Sequence, residues 1–198
     1  MKKYKLYKLQ TYFNDYSCFL EKKYEHYSNS IKHKALYEKN WKPFDLNKFK
    51  VPEFELLPSD NKKRNYQFDI SSPSSPFYIF SEKAVEALKD ILEPRGQFLP
   101  IITPSKRKKY IGYYPTNPVI NMIDVKKSGM EKEDLETFGV RNINDLYLKQ
   151  EAELDDYIIC FSEERLCVLV TEKFRKRVEE AGLEGFDFIY SDYEITLL

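Results

Sequence analysis

The chain has 198 residues, 32 basic and 32 acidic side chains, and 42% aliphatic and aromatic residues, enough for the core of one domain. Its apolar runs are far shorter than the roughly 20 residues of a membrane span. Its basic start, MKKYKLYKLQTYF, lacks the continuous apolar stretch of a signal peptide. We therefore expect a protein without membrane spans that stays in the cytoplasm.

The zero net charge conceals an uneven distribution. Residues 1–50 hold twelve lysines against five acids, a balance of +7, whereas residues 151–198 hold five basic residues against thirteen acids, a balance of −8. Three explanations remain open: the two ends attract each other in the fold, the acidic end faces a basic partner, or both are solvated surfaces without a partner.

The N-terminal 45 residues predict a short strand followed by a helical excursion from the domain. Tyr4, Leu6 and Lys8 alternate with their neighbours, as in a half-exposed strand. Apolar and aromatic side chains then recur at three- and four-residue steps, which predicts an amphipathic helix capped by Asn14 or Asp15. The inner stripe of this helix comprises Tyr16, Leu20, Tyr24, Tyr27 and Ile31.

Two later segments repeat one pattern: FYIFSEKAVEALKDILEPRGQFLPII (77–102) and LCVLVTEKFRKRVEEAGLEGFDFIY (166–190). Each has an apolar strand, Ser or Thr before Glu-Lys, an amphipathic helix, a glycine and a second apolar run. Ser81 and Thr171 stand at the N-cap position, where a side-chain oxygen accepts from the first helical amides. The repetition indicates either a duplication or two halves that solve the same packing problem.

The rest of the chain predicts mostly strands and turns. Short strands are expected in VPEFELL and YQFDI, a loop at SSPSSP, a pair of strands in YIGYYPTNPVINMIDV, a loop at KKSGMEKEDLETFG, and two strands flanking an acidic bend in DLYLKQEAELDDYIICFS. Strands outnumber helices and do not alternate regularly with them, so the fold class is α+β with a mixed or mostly antiparallel sheet. We expect one domain over residues 1–198, with two similar strand-helix-strand units and a helical N-terminal segment.

The motifs of nucleophilic catalysis, phosphate binding and metal binding are missing from the sequence, and an enzyme of unrecognised type is the third interpretation. His26 and His33, the only histidines, stand seven apart and are expected to be exposed helix residues. The six glycines form no phosphate-binding motif, and no GxSxG elbow occurs. Cys18, Cys160 and Cys167 lack metal-type spacing, and the apolar surroundings of the last two predict buried free thiols. We predict no enzyme, no cofactor and no metal site.

Lysines, arginines and tyrosines are mixed in residues 1–50 and in SKRKKYIGYY (105–114). Such a mixture suits a surface that stacks RNA bases and binds phosphates. Tyrosines at strand or helix spacing more often pack in a core. A nucleic-acid-binding module is therefore the alternative interpretation, not the first.

Four segments in a fixed order carry a resemblance to a known family. They are IFSEKAVEAL (79–88), FLPI (98–101), YIGYYPTNPVINMIDVKKS (110–128) and LVTEKFRKRVEEAGLEGFDFIY (169–190). In this order they resemble an immunity-protein family of bacterial polymorphic toxin systems, long classed as a domain of unknown function. The resemblance covers about residues 50–192, with Thr171 where Ser is more usual. It implies a non-catalytic cytoplasmic protein that binds and neutralises a cognate toxin domain.

The resemblance transfers no contact residues, because the toxin-facing surface differs between members of the family. Many toxin domains are basic nucleases, so an acidic face is a suitable complement. On that ground the acidic bend is the candidate contact patch: Glu151, Glu153, Asp155 and Asp156. A solvated hairpin bend is the alternative interpretation of these four residues.

Overall fold

The computed structural model of the chain describes residues 2–128, 147–149, 154–162, 164–188 and 192–197. These residues form strands and short helices, which confirms the predicted α+β class. No helix within these ranges is long and apolar enough to cross a membrane. The strands are β1 (Lys2–Lys8), β2 (Cys18–Glu21), β3 (Phe54–Leu57), β4 (Ile70–Ser74), β5 (Phe77–Ser81), β6 (Gly96–Leu99), β7 (Tyr110–Pro115), β8 (Tyr147–Leu148), β9 (Ile158–Phe161), β10 (Glu164–Thr171) and β11 (Asp192–Leu197). The helices are α1 (Ile31–His33), which continues as a π-helix (Lys34–Lys39), α2 (Glu82–Ala87), α3 (Lys89–Leu92) and α4 (Glu172–Glu180), with 3₁₀ turns at Tyr27–Asn29 and Glu93–Arg95.

The middle of the chain forms a four-stranded sheet in the order β4-β5-β7-β6. All neighbouring strands are antiparallel, so β5 and β6 run parallel to each other with β7 between them. The helices α2 and α3 connect β5 to β6. This part of the fold is a strand-helix-strand unit into which one antiparallel strand is inserted.

The two ends of the chain form a five-stranded sheet with the same arrangement, in the order β8-β11-β1-β10-β9. Here β10 and β11 run parallel with β1 between them, and α4 connects the two. Strand β9 flanks β10 as β4 flanks β5. The first predicted strand-helix-strand unit is thus present, and the second has its predicted strand and helix but a later exit strand, β11, than the predicted FDFIY. Strand β1 occupies in the second unit the place that β7 has in the first.

The helix starts of the two units are also built alike. Ser81 Oγ accepts from an amide of α2 at 3.1 Å, and Thr171 Oγ1 accepts from an amide of α4 at 3.4 Å, which confirms both N-caps. The amide of each cap residue donates to the carbonyl just before the flanking strand: Ser81 to Asp69 at 3.1 Å and Thr171 to Tyr157 at 3.0 Å. The repeated sequence pattern therefore encodes a repeated local structure.

One buried cluster joins both sheets and the helices α2, α3 and α4. Its members include Tyr7, Tyr78, Leu88, Ile91, Cys160, Val168 and Phe174. A second cluster lies between the four-stranded sheet and the N-terminal segment, and includes Phe19, Ile31, Phe54, Phe77 and Tyr114. The N-terminal segment is therefore packed on the fold and not separate from it.

The helix predicted from Asn14 does not form there. Residues 18–21 are strand β2, which pairs with β3. The ring of Phe19 packs edge-on against Phe68 at 5.1 Å and Tyr110 at 4.8 Å, and these long-range contacts override the helical spacing. Helical structure in the N-terminal segment starts later, and Ser30 caps α1.

Several smaller elements also differ from the predictions. The SSPSSP loop is largely strand β4, and the strand predicted in YQFDI contributes only Ile70. At FDFIY the described residues show one bridge, Phe186 to Thr11, and β11 follows later. The second strand of YIGYYPTNPVINMIDV reduces to bridges at Val119 and Ile123. The predicted KKSGMEKEDLETFG loop lies outside the described residues beyond its first three positions.

All three cysteines are buried thiols outside any disulfide, which confirms the prediction for Cys160 and Cys167. Burial, aided by the nearby Asp60 carboxylate, raises the pKa of Cys18 to about 11. Burial likewise raises the pKa of Cys160 well above its ordinary value. A nucleophilic cysteine needs the opposite shift, so these two thiols serve packing.

Candidate partner-binding site

Four aromatic side chains line up on the surface of the N-terminal segment. We call them the aromatic ridge: Tyr24, Tyr27, His33 and Tyr37. Their ring centroids are separated by 6.2 Å, 5.3 Å and 5.0 Å along the ridge. The three tyrosines are 42%, 48% and 58% exposed. A contiguous exposed aromatic surface is typical of an interaction site.

The start of α1 is fixed by two side chains. Ser30 Oγ accepts from the His33 amide at 3.1 Å, and the two oxygens of the Glu21 carboxylate lie 2.9 and 3.0 Å from the Ile31 amide nitrogen. Burial raises the pKa of Glu21, and the Ile31 amide and Lys34 offset this shift only in part. Since Glu21 belongs to β2, the two-stranded sheet of β2 and β3 holds the start of the helix that carries His33 and Tyr37.

The other end of the helix is held by the core. The Tyr114 hydroxyl accepts from the Trp41 amide at 2.7 Å and donates to the Ala35 carbonyl at 2.9 Å. Arg165 of β10 donates to the Leu36 carbonyl at 3.3 Å, and its guanidinium lies 5.8 Å from the Tyr37 ring. Both sheets therefore contribute to positioning the ridge.

The C-terminal end of this helix has three features that are common at functional sites. Lys34–Lys39 is a π-helix, a form that often occurs at functional sites. Asn40 and Trp41 follow in the left-handed region, with φ of 45° and 67°, which costs energy for residues other than glycine. Two buried nitrogens, His33 Nδ1 and Trp41 Nε1, have no hydrogen-bond partner among the described residues. The helix exit is thus kept in a conformation that its own sequence disfavours.

A groove runs beside the aromatic ridge. It consists of two adjoining cavities of about 390 and 300 Å³ that share Asn29, Lys34 and Lys50. Phe44 and Phe49, in an edge-to-face contact at 5.2 Å, line the larger cavity, and Tyr24 lines the smaller one. The ridge and the groove therefore form one continuous surface.

The charges of this surface are mixed, with cations at its centre. Lys34 and Lys50 form no ion pair with any residue that the structure describes. Among the acids lining the groove, Glu21 is bound to the helix start and Asp45 lies 3.9 Å from Lys48. Glu25 and Glu38 also line the groove, and Lys34 attracts the Glu21 carboxylate, so the groove offers both lysines and carboxylates to another molecule.

The predicted acidic patch is not assembled into a site by the described residues. Glu151 and Glu153 lie outside the described residues. Asp155 accepts from Arg95 Nε at 2.7 Å and from two backbone amides at the start of β9. Burial alone would raise the pKa of Asp155, but these hydrogen bonds outweigh it and lower the pKa. Asp156 is exposed and pairs with Lys173 at 2.8 Å. Asp155 thus has an internal role, and a contact role for the patch stays a prediction.

The tyrosines of SKRKKYIGYY do not form a stacking surface. Tyr110, Tyr113 and Tyr114 are buried, and burial raises the pKa of each phenol. The Tyr113 hydroxyl donates to the Leu92 carbonyl at 3.0 Å. These three tyrosines are unavailable for stacking because alternate residues of β7 face the two buried clusters, and nucleic-acid binding itself stays a prediction.

The two histidines occupy different environments. His26 is exposed just before the 3₁₀ turn, whereas His33 is half-buried in the ridge with a Glu38 oxygen 3.7 Å from Nδ1. Among the residues that the structure describes, no group of three His, Cys, Asp or Glu side chains is placed to hold a metal ion.

No known family model matches the sequence, and a search of curated proteins returned no significant match.

Sequence reasoning missed the ridge, because it placed Tyr24 and Tyr27 on the inner stripe of a helix and gave Tyr37 no role. A usable signal was present in SNSIKHKAL, where Ser30 precedes Ile31, Ala35 and Leu36 at helical spacing. These three residues are buried, so Tyr37 falls on the open side.

Proposed function

We propose that this protein is a non-catalytic inhibitor that binds and neutralises a cognate bacterial toxin domain through the aromatic ridge. The observation that carries the proposal is the ridge itself, whose three tyrosines are exposed by 42–58%. Tyr37 lies in a helix that is anchored at both ends, Tyr27 in the 3₁₀ turn before it, and Tyr24 in the irregular segment that precedes the turn. The ordered motifs that resemble an immunity-protein family support the same function.

The ridge suits a protein partner for physical reasons. Tyrosine offers a large apolar ring and a hydroxyl at low conformational cost, and it is enriched among residues that dominate binding energy. A ridge anchored by Ser30, Glu21 and Tyr114 loses little further entropy when a partner covers it. Preorganisation of this kind favours tight binding from a small area.

Charge indicates the kind of toxin surface that fits. Residues 22–50 contain eight lysines and three acids, and Lys34 and Lys50 stand at the centre of the groove. The partner face should therefore offer carboxylates or backbone carbonyls to these cations and apolar area to the tyrosines. Inhibition then follows from covering a toxin surface that the toxin needs, without any covalent step.

Co-expression with the toxin domain encoded next to this protein's gene is the direct test. The intact protein should protect cells, and Tyr27→Ala/Tyr37→Ala should weaken binding of the purified domain by about tenfold or more. Ile120→Ala removes a 62% exposed apolar side chain elsewhere and serves as the control. Cell death despite the intact protein would refute the function for that pair, and full binding by the double variant would refute the ridge as the contact.

Nucleic acid is the alternative occupant of the ridge, because lysines surround the exposed rings. The two occupants differ in salt dependence: affinity for a nucleic acid falls steeply and log-linearly with salt. Binding of single-stranded RNA in low salt that the tyrosine double variant abolishes would favour this alternative.

A further inference from the structure

A separate cavity of about 400 Å³ lies at the turn between β6 and β7. It is lined by Tyr66, Pro104, Ser105, Lys106, Arg107 and Lys108. None of these residues is acidic, and none of them lines the groove beside the aromatic ridge. Apolar atoms form almost all of the exposed lining of this cavity, and three of the residues that contribute to it belong to the densest run of cations in the chain.

Hydrogen bonds fix the conformation of this turn. Its two central cations, Lys106 and Arg107, form no ion pair with a residue that the structure describes. Ser105 Oγ accepts from the Lys108 amide at 3.2 Å and donates to the Lys108 carbonyl at 2.6 Å. The Lys108 ammonium is held by the buried carboxylate of Asp69 at 2.7 Å. Lys106 and Arg107 are exposed and form no ion pair within the described part of the chain. The internal bonds thus preorganise a turn that presents two unpaired cations.

The aromatic side of the cavity is also fixed. The Tyr110 hydroxyl donates to the Tyr66 carbonyl at 3.1 Å. The Tyr66 ring lies 6.2 Å from Phe19 and 6.5 Å from Tyr110, centroid to centroid. Tyr66 is nevertheless only half-buried and lines the cavity. A planar group bound here would contact a ring that is already immobilised.

We propose that this cavity binds a nucleoside phosphate, either free or as one unit of a single-stranded nucleic acid. The base lies against Tyr66 and Pro104, and the phosphate is bound by Lys106 and Arg107. Stacking on an aromatic ring beside cations is the usual means of binding single strands without sequence preference. An arginine fork also matches the geometry of a phosphate group. An acidic peptide would use the cations but leave the ring and proline uncovered.

The test uses the full chain and a fluorescein-labelled ten-residue oligothymidylate, followed by fluorescence anisotropy. Two phosphate contacts predict a log–log salt slope of roughly −1.4, at about −0.7 per contact. Lys106→Gln/Arg107→Gln should weaken binding by about tenfold or more and bring the slope close to zero. Lys89→Gln/Lys176→Gln removes the same charge from exposed helix positions and should leave the affinity unchanged.

Competitors identify the ligand. Displacement by uridine monophosphate indicates a site that takes a free nucleotide, whereas displacement by the strand alone indicates recognition within a strand; both support the proposal. Inorganic phosphate or polyglutamate competing as well as the nucleotide would overturn it. An equal loss in the Lys89/Lys176 control pair would overturn it too.

A second variant tests the aromatic side. Tyr66→Leu should weaken binding of the oligothymidylate roughly fivefold or more through lost stacking. Unchanged affinity in a folded Tyr66→Leu protein would overturn the role of the ring. If this variant unfolds, the Lys106/Arg107 variant still decides the proposal, because both side chains are exposed. The ridge is untouched by these changes, so toxin binding and this site fail or succeed independently.

Discussion

The hydroxyl of Tyr114 accepts a hydrogen bond from the amide of Trp41 at 2.7 Å, so a core strand holds the left-handed exit of the N-terminal helix. The same hydroxyl donates to the Ala35 carbonyl at 2.9 Å. Removing it leaves a buried amide and a buried carbonyl without this partner. Tyr114→Phe should therefore lower the free energy of unfolding by about 1–3 kcal/mol, as measured by urea denaturation.

Hydrogen exchange locates this effect. Amides of residues 35–41 should exchange faster in Tyr114→Phe, and the ridge should lose affinity for its partner. Tyr113→Phe is the matched control, because its hydroxyl also bonds a buried carbonyl, that of Leu92 at 3.0 Å, but not the helix exit. Faster exchange of residues 35–41 in the control as well would contradict the role of Tyr114.

Asp69 should make stability depend on acid pH. It is 2% exposed and bonded to Lys108, Ser81 Oγ and the Glu184 amide. Burial alone would raise the pKa of this carboxyl, but these three hydrogen bonds outweigh it and lower the pKa. Because the folded pKa lies below the unfolded one, the stabilisation is complete above the unfolded value and is lost as the pH falls through the folded value.

Asp69→Asn should lower the free energy of unfolding by about 3 kcal/mol at neutral pH. This value is at the low end for breaking a buried ion pair, because the Lys108 side chain is 28% exposed. The difference from the native protein should shrink as the pH falls below about 4, where this carboxyl begins to protonate in the unfolded chain but is still ionised in the folded protein. Urea unfolding from pH 7 to pH 3 measures both. Asp156→Asn, in an exposed pair, should cost under about 1 kcal/mol. A pH-independent difference for Asp69→Asn would contradict the linkage.

Gly112 permits a close approach of β7 to its neighbours. A Cβ at this position would lie 2.5 Å from Phe77 Cζ and 3.0 Å from the Leu99 carbonyl oxygen. Gly112→Ala should therefore destabilise the fold by about 1–3 kcal/mol through overpacking. At Gly182 nothing lies within 4 Å, and alanine there meets only the left-handed φ of 57°, at about 1 kcal/mol. Thermal unfolding of the two variants, Gly112→Ala and Gly182→Ala, measures both losses of stability. An equal or larger loss for Gly182→Ala would contradict this explanation.

The ion pair between α4 and α3 should contribute little. Arg177 donates to the Asp90 carboxylate at 2.9 and 3.0 Å, but the side chains are 36% and 63% exposed, so solvent screens the attraction. A double-mutant cycle with Asp90→Ala and Arg177→Ala should give a coupling of about 0.2–1 kcal/mol. Arg177→Ala alone should lower the free energy of unfolding by more than this coupling, since the guanidinium also donates to the Ala87 carbonyl. A coupling above about 2 kcal/mol would point to a shielded pair instead.

Predictions that depended on neighbouring residues were confirmed. Ser81 and Thr171 cap their helices because an N-cap needs only amides two or three positions away. Burial of Cys160 and Cys167 followed from the apolar residues beside them. At these positions the interacting residues are neighbours in the sequence, so the local pattern is enough to predict the structure.

Predictions failed where contacts with residues far along the chain determine the local structure. The spacing of Tyr16, Leu20 and Tyr24 suits a helix, but Phe19 gains more from rings contributed by residues 68 and 110. The aromatic ridge depends in turn on this strand, because Glu21 fixes where α1 begins. No local pattern in the first 45 residues contains those partners, so the sequence indicates the helix that carries Tyr37 but not the complete ridge.

The central position of β1 has a consequence for synthesis. Leu6 pairs with Thr171, and Tyr7 bonds Glu172 across 165 positions of the chain. The four strands of the other sheet all lie within residues 70–115, so that sheet can form while the ribosome is still translating. Strand β1 must wait, unpaired, until β10 and β11 have been synthesised.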